Sequence, residues 1–499
     1  MNNKTLKFSM FALLGFFAIP ACTDLEPEIR DSQLREGAGG VFVPGNPADA
    51  LITSYKDLGA ITDQANIYAL LDQPSDEMIP PTRGTDWGDN GVWRSLHAHT
   101  WDATHSMVLA SWNQLNERVF RCNQVLASNP NAQQAAEAKF LRAYFMTMVM
   151  DFYGQVPFRN VNEGVDVNPK VFTRAEAFDF ITRDLEEALP NLPGTGPIAT
   201  NSKATKAAAN ALLARLYLNK AVYKASNPAG PYTFDAADMN KVIAYCDAVT
   251  ANGYSLEANY FDNFGTSAAT EIIFTSAEGS VDNRIRMTLH YNSNPGGWNG
   301  FTTLAEFYDK FETGDQRKGG PGVPNGSEFS GLGRGFLIGQ QYKDNGDVII
   351  NERNFQPLSF TRDVPLSGAS SEKGIRVIKY HQSNKGQYIL LRYGDVYLMK
   401  TEAIMRGGSS NVSALDHINA LRQIRGATQL AALNEATMLD ERGRELYWEG
   451  IRRTDQIRFG NFTSTWSYKT NTEPFRVLFP IPQQALDSNP NLKQNDGYK

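Results

Sequence analysis

The chain has 499 residues, of which 20% are charged: 48 Lys and Arg stand against 54 Asp and Glu, a formal net charge of −6. That length supports a large core and two sub-domains. The mildly acidic balance excludes a general nucleic-acid binder, which would need a basic stripe, and after the first two dozen residues nothing is apolar for long enough to span a bilayer.

The N-terminus is of a different kind. Lys4 and Lys7 precede the apolar run FSMFALLGFFAI, the positive and apolar regions of a secretory signal over residues 1–21. The run ends at Ile19-Pro20-Ala21-Cys22, which is similar to a bacterial lipobox and would make Cys22 the lipidated first residue; simple secretion is the alternative. Residues 22–45 then read as a tether, and lipid on Cys22 would hold an otherwise soluble protein at a membrane. Cys122 and Cys246 lie in helix-like apolar surroundings at a separation that fits no zinc or redox spacing. They read as small buried hydrophobes, with a disulfide left open by the oxidising compartment.

From Asn46 to Leu71 the pattern is helical, with Leu51, Tyr55, Leu58 and Ile61 on one side. Residues 73–102 are punctuated by Pro, Gly and Asp and read as loop, yet carry Trp87, Trp93 and Trp101. Helices are expected over 106–128, over 132–153 before Gly154, and over 173–189, opened by the capping box Thr173-Arg-Ala-Glu176. Two more span 204–224 and 239–252. Their paired arrangement and start intervals broadly match tetratricopeptide hairpins, without a full consensus in any repeat. Residues 46–253 form this helical region and 254–499 the second one, packed with it as one unit. Within the latter, 254–385 is rich in Gly, Asn, Ser and aromatic residues. Loop and short strands inside a helical scaffold point to function.

The stretch Gln387–Arg406 organises the second region. On a helix, Ile389, Val396 and Ala403, then Leu390, Tyr397 and Ile404, then Leu391, Leu398 and Met405 form three apolar rows, so it would be covered on two sides. Asp395 and Glu402 fall on the remaining face, with Arg392 and Arg406 spaced to support an exposed helix. Further helices are expected over 412–425 and 434–453. The latter's Glu441, Arg442, Arg444, Glu445, Glu449, Arg452 and Arg453 read as an ion-paired buttress rather than an anion site.

Recognition chemistry is concentrated in two loops. Flat aromatic rings stack on the CH faces of sugars, and planar polar groups beside them fix hydroxyls. The densest such cluster is residues 82–93, where Arg83, Asp86, Trp87, Asn90 and Trp93 are the leading candidates. The second is residues 290–299, with Tyr291 and Trp298 among Gly and Asn. Trp466 and Tyr468 occupy a third polar loop. His97, His99 and His105 have no companion ligands at metal spacing, and Asp86 with Asp89, or Asp76 with Glu77, are carboxylate pairs of a kind common in acidic loops. No metal, cofactor or catalysis is expected. The Gly-rich runs 319–326 and 331–335 lack the strand–loop–helix setting of a phosphate cradle and read as loops.

Six stretches resemble the SusD/RagB family of outer-membrane lipoproteins from Bacteroidetes: CTDLEPE after the signal, AKFLRAYFMTMVMDFYGQVPF (138–158), TRAEAFDFITRDLEEALPNLP (173–193), ILLRYGDVYLMKTEA (389–403), ERGRELYWEGIRRTDQIRFG (441–460) and LFPIPQQALDSNPNLKQN (478–495). They are spread along the mature chain in the family's order. The resemblance implies a mostly α, tetratricopeptide-like scaffold under an irregular ligand-binding face, with contacts commonly in a loop near Arg83–Trp93. It also implies a SusC-like TonB-dependent transporter as partner, a location on the outer membrane facing outward, and an oligosaccharide or polysaccharide as cargo. Some relatives handle peptides, which is the alternative within the scaffold; a surface glycosidase is the alternative outside it.

Overall fold

Helix signals with local causes are met in the computed structural model, which describes residues 35–36, 42–164, 166–267 and 269–498. The signal peptide, Cys22 and nearly all of the tether lie outside the described residues. Thr173 accepts from the Glu176 N–H while Glu176 reaches back to Thr173, a reciprocal cap satisfying two orphan donors. Asn131 with Gln134 and Asn434 with Thr437 repeat that device.

In chain order the helices are α1 (Pro47–Lys56), α2 (Ile67–Asp72), α3 (Val92–His97), α4 (Ser106–Ala127), α5 (Ala132–Tyr153), α6 (Arg174–Ala188), α7 (Lys206–Leu218), α8 (Lys220–Tyr223), α9 (Ala236–Ala251), α10 (Asp282–Arg286), α11 (Ala305–Tyr308), α12 (Tyr393–Met405), α13 (Ala414–Ile424), α14 (Glu435–Leu446), α15 (Arg452–Arg458) and α16 (Gln483–Ser488). Successive helices pack as neighbours: α4 on α5, α5 on α6, α7 on α9. The strands are short and scattered over small antiparallel sheets, so the fold is mostly α with an irregular region. A large buried cluster runs from Leu51 to Leu492, joining both halves of the chain, and a small second one gathers Leu398, Ile418, Leu421, Met438, Leu446 and Ile451. Cys122 and Cys246 are free thiols within the large one, and burial pushes the Cys122 thiol up to about 12.

The central stretch differs from its expected form. Tyr388–Arg392 is a strand paired antiparallel with Ile272–Ser276, and only Tyr393–Met405 is helical. Both strands are buried along their whole length. A strand covered on two faces reads as an unbroken apolar run, which periodicity alone cannot separate from a buried helix. The helix does sit in the middle of the stack, touching α7, α9, α13 and α14. Asp395 and Glu402 are not on an exposed face: both are buried. Asp395 accepts from Arg215 and Arg442, and Glu402 from Arg458 and Arg406. Arg392 turns away to Glu271, Glu445 and Glu449.

Residues 434–453 are likewise two elements, α14 and the start of α15. They are separated where Trp448 and Gly450 adopt positive φ. The ion pairs there are buttressing, but most cross between elements. Glu445 binds Arg392, Arg425 and Arg317, while Glu441 binds Arg317, Arg422 and, within its own helix, Arg444. The loop 73–102 also contains α3.

Candidate functional site

The two aromatic loops meet. Arg83 and Asp86 exchange both backbone hydrogen bonds, closing a tight turn that projects Trp87. Trp87, Asp89 and Asn90 all have positive φ, a conformation that side chains other than glycine's hold only when the surroundings impose it. The surroundings do so here. The Trp87 indole N–H donates to the Trp298 carbonyl at 2.9 Å, and its ring packs on Phe301 and edge-on to Trp93. A Cβ on Gly300 would lie 2.6 Å from the Trp87 ring, so only glycine permits this approach. Trp298 is itself 37% exposed.

Beside these rings sits a polar group. The Tyr291 hydroxyl donates to Asp86, and the Arg353 guanidinium donates to the same oxygen at 3.1 Å while lying 4.3 Å above the Tyr291 ring. The Tyr291 hydrogen bond first, and then Arg353, hold the Asp86 carboxyl below its ordinary range. His290 is pushed down to about 3, by burial first and then by Arg376, Arg83 and Arg353, so it stays neutral. The result is an open face of Trp87, Trp298 and Tyr291, bordered by one anion and one cation already in place.

The other expected contacts are distributed differently. Arg83 is 1% exposed, and its guanidinium donates to the Ser370 and Lys373 carbonyls at 2.5 and 2.7 Å. It fastens the loop from beneath rather than reaching ligand. Trp93, 5% exposed, gives its indole N–H to Asp89 and closes the seam under Trp87. Asn90 is exposed at the turn. Asp76 is taken by Arg452 and Glu77 by the Trp448 N–H. His97, His99 and His105 direct ring nitrogens at backbone carbonyls. No group of three or more metal-binding side chains occurs among the described residues.

Two neighbours were not legible in the sequence. The hairpin joining strands 350–351 and 356–357 supplies Arg353 and also Phe355, which is 78% exposed at positive φ. The Glu352 N–H donates to Asn292, tying this hairpin to the Tyr291 loop. Its only sequence signal is the Asn-Glu-Arg-Asn turn chemistry, which marks a turn and not a site. Larger clefts lie elsewhere: one of about 910 Å3 walled by residues 308–334, and one of about 530 Å3 beside Trp466.

Such a molecule is a helical scaffold that presents an aromatic platform on irregular loops. Residues 270–498 match the model of the SusD family, and residues 63–218 match one described as "Starch-binding associating with outer membrane". The chain belongs to the SusD/RagB family. The starch-binding protein SusD of Bacteroides thetaiotaomicron is 26% identical over 425 residues, covering 74% of this chain and 73% of its own. A SusD-like protein of Formosa agariphila is 24% identical over 496 residues, covering 88% and 89%. Among solved structures, a SusD-like protein from Bacteroides fragilis superposes with TM-score 0.68 at 21% identity, covering 90% of this chain and 96% of its own. Surface glycan-binding protein A from Bacteroides thetaiotaomicron, in complex with laminarihexaose, gives 0.64 at 19%, covering 90% and 98%. These two likenesses establish the fold.

Proposed function

We propose that this protein is a cell-surface lipoprotein that captures an oligosaccharide on the Trp87–Tyr291–Trp298 platform and passes it to a SusC-like TonB-dependent barrel. The observation that carries the reading is the exposed Trp298, whose backbone carbonyl holds the Trp87 indole, together with Tyr291 bearing the Asp86–Arg353 pair. The Trp87 and Tyr291 rings, held before binding, lose little entropy on stacking, and the charged pair beside Tyr291 can orient hydroxyls without covalent chemistry. A relative named for binding starch, and a neighbour solved with laminarihexaose, support a glycan over a peptide. Cys22 supplies the membrane anchor. No described helix is long and apolar enough to cross a membrane. Asp86 is hydrogen-bonded by Tyr291 and Arg353, and Asp89 by the Trp93 indole, which gives both carboxylates a positioning role in this reading.

The test is native electrophoresis of the mature chain, with Cys22 removed, in gels cast with a panel of polysaccharides. Retardation by one of them is expected. Trp298→Ala and Trp87→Ala should weaken it by about 1–3 kcal/mol, the range for a stacking aromatic contact. Retardation unchanged in both variants would remove the platform from the reading. Capture of peptides alone would replace the cargo.

A further inference from the structure

The wall of the 308–334 cleft is interrupted by glycines. Gly319, Gly320, Gly322 and Gly333 line it, and Val323, 80% exposed, stands among them. Strand 319–320 pairs with strand 334–337, placing Arg334 opposite Gly320. Both Gly-rich runs are therefore partly strand and not loop throughout. A Cβ on Gly320 would meet nothing within 4 Å, so this position faces open space.

Arg334 is half-buried, and its guanidinium has no hydrogen-bond or ion-pair partner among the described residues. Arg317, Arg392 and Arg425 in the core are each gripped by carboxylates. Burial works against the Arg334 charge and Asp262 favours it from beyond hydrogen-bond reach, so a half-buried cation stands without a bonded counter-ion. The cleft's other charges are spent or at the edge. Asp315 is bound by Arg317, Lys318 donates to the Phe311 carbonyl, and Glu328 is exposed. A planar fork of donors in this setting matches an oxyanion.

The cleft is also joined to the platform. Asn294 donates to Asp344 at 2.8 Å, and Asp344 accepts the Phe329 and Gly331 N–H groups, both at 3.0 Å. Phe329 lines the cleft. By chain reach Asn294 lies within about 11 Å of Tyr291 and about 14 Å of Trp298. Resting on the platform's reading as a saccharide site, we infer that the cleft is a second subsite of the same ligand, in which Arg334 receives an anionic substituent, a carboxylate or a sulfate. The cargo is then an acidic oligosaccharide.

The experiment compares neutral polysaccharides (starch, laminarin, xylan, mannan), carboxylated ones (polygalacturonate, alginate) and sulfated ones (carrageenan, fucoidan). Each is bound to the mature chain and to Arg334→Gln, Gly320→Phe and Trp298→Ala. Gly320→Phe fills the cleft at a position free of close neighbours, and unchanged thermal unfolding verifies its fold; if it fails to fold, Arg334→Gln decides. The expected result is retention of an acidic polymer, weakened at least tenfold by Arg334→Gln and by Gly320→Phe, and more sensitive to salt than neutral binding. The carboxylated and sulfated arms identify the substituent. Binding of neutral polymers alone, lost in Trp298→Ala but indifferent to Arg334→Gln, would overturn the cleft and leave the platform standing. Acidic binding that needs Arg334 but ignores Trp298 would overturn the platform and leave the cleft. Retention of nothing overturns both.

Discussion

The α12–α14 core and the loop platform both hold arginine against carboxylate, with opposite consequences. In the core, Glu445 meets Arg392, Arg425 and Arg317 with every side chain almost wholly removed from water. On the platform, Asp86 meets Arg353 in a pair half open to solvent. Buried charges must be matched completely, because any left over has no water to fall back on. An exposed pair can be opened by a ligand at little cost. The core therefore fixes the scaffold, and the platform keeps its charges available for exchange.

The largest expected effect comes from breaking the core side of this contrast. Glu445→Ala leaves three buried guanidinium groups short of a partner and should cost about 3–5 kcal/mol, read as a shift in the urea midpoint. A loss under 1 kcal/mol would mean that water replaces the carboxylate and that the region is not dry.

A second, smaller effect separates two kinds of buried acid by pH. Arginines hold the Glu402 and Glu441 carboxyls down to about 2. The stability they lend is full above their ordinary 4.5 and is lost as pH falls towards 2. Glu77 behaves oppositely. Burial, then the Asp72 charge, holds its proton well above the ordinary range, so its contribution is full below 4.5 and declines as pH rises towards the folded value. Burial likewise pushes the Asp72 carboxyl up, to about 6. Glu77→Gln keeps the acceptor for the Trp448 N–H and should raise stability at pH 8 by about 1 kcal/mol, leaving the acid limb below pH 4.5 in place. Thermal unfolding from pH 3 to pH 8 reads both limbs. An unchanged alkaline limb would show that the pair holds no extra proton.

The smallest effect lies on the platform. Arg353→Ala removes an exposed pair and should change stability by less than about 1 kcal/mol, measured by the same unfolding, while weakening glycan retention. A larger loss of stability would make Arg353 part of the frame and not of the recognition surface.

The same contrast explains what the sequence disclosed. Caps such as Thr173 with Glu176 are local, and they were legible because both partners lie three residues apart. The Gln387–Arg406 stretch was half legible: its centrality was clear from its apolar rows, but a fully buried strand and a fully buried helix share that pattern. Asp395 and Glu402 were misplaced because their partners, Arg215, Arg442 and Arg458, come from distant helices. In the loops the residue types pointed to the right neighbourhood, yet whether Arg83 or Trp298 faces outward depends on residues 300–376, which only folding brings beneath them. Arg353 and Phe355 carried no aromatic-cluster signal, because a single Phe in an Asn-rich turn is unremarkable until folding sets the neighbouring Arg353 over Tyr291.

The core pairing also dictates an order of assembly. Glu271 is 121 residues from Arg392 and 154 from Arg425, and Glu445 must join all of them. A chain delivered amino-end first holds Glu271 long before these partners arrive. Until the segment carrying Glu441, Glu445 and Glu449 emerges, Arg392 and Arg425 share Glu271 alone as a carboxylate partner, and their charges are incompletely matched. The closing segment thus completes the charge network: without Glu445, the guanidinium groups of Arg317, Arg392 and Arg425 each lack a carboxylate that the full chain supplies.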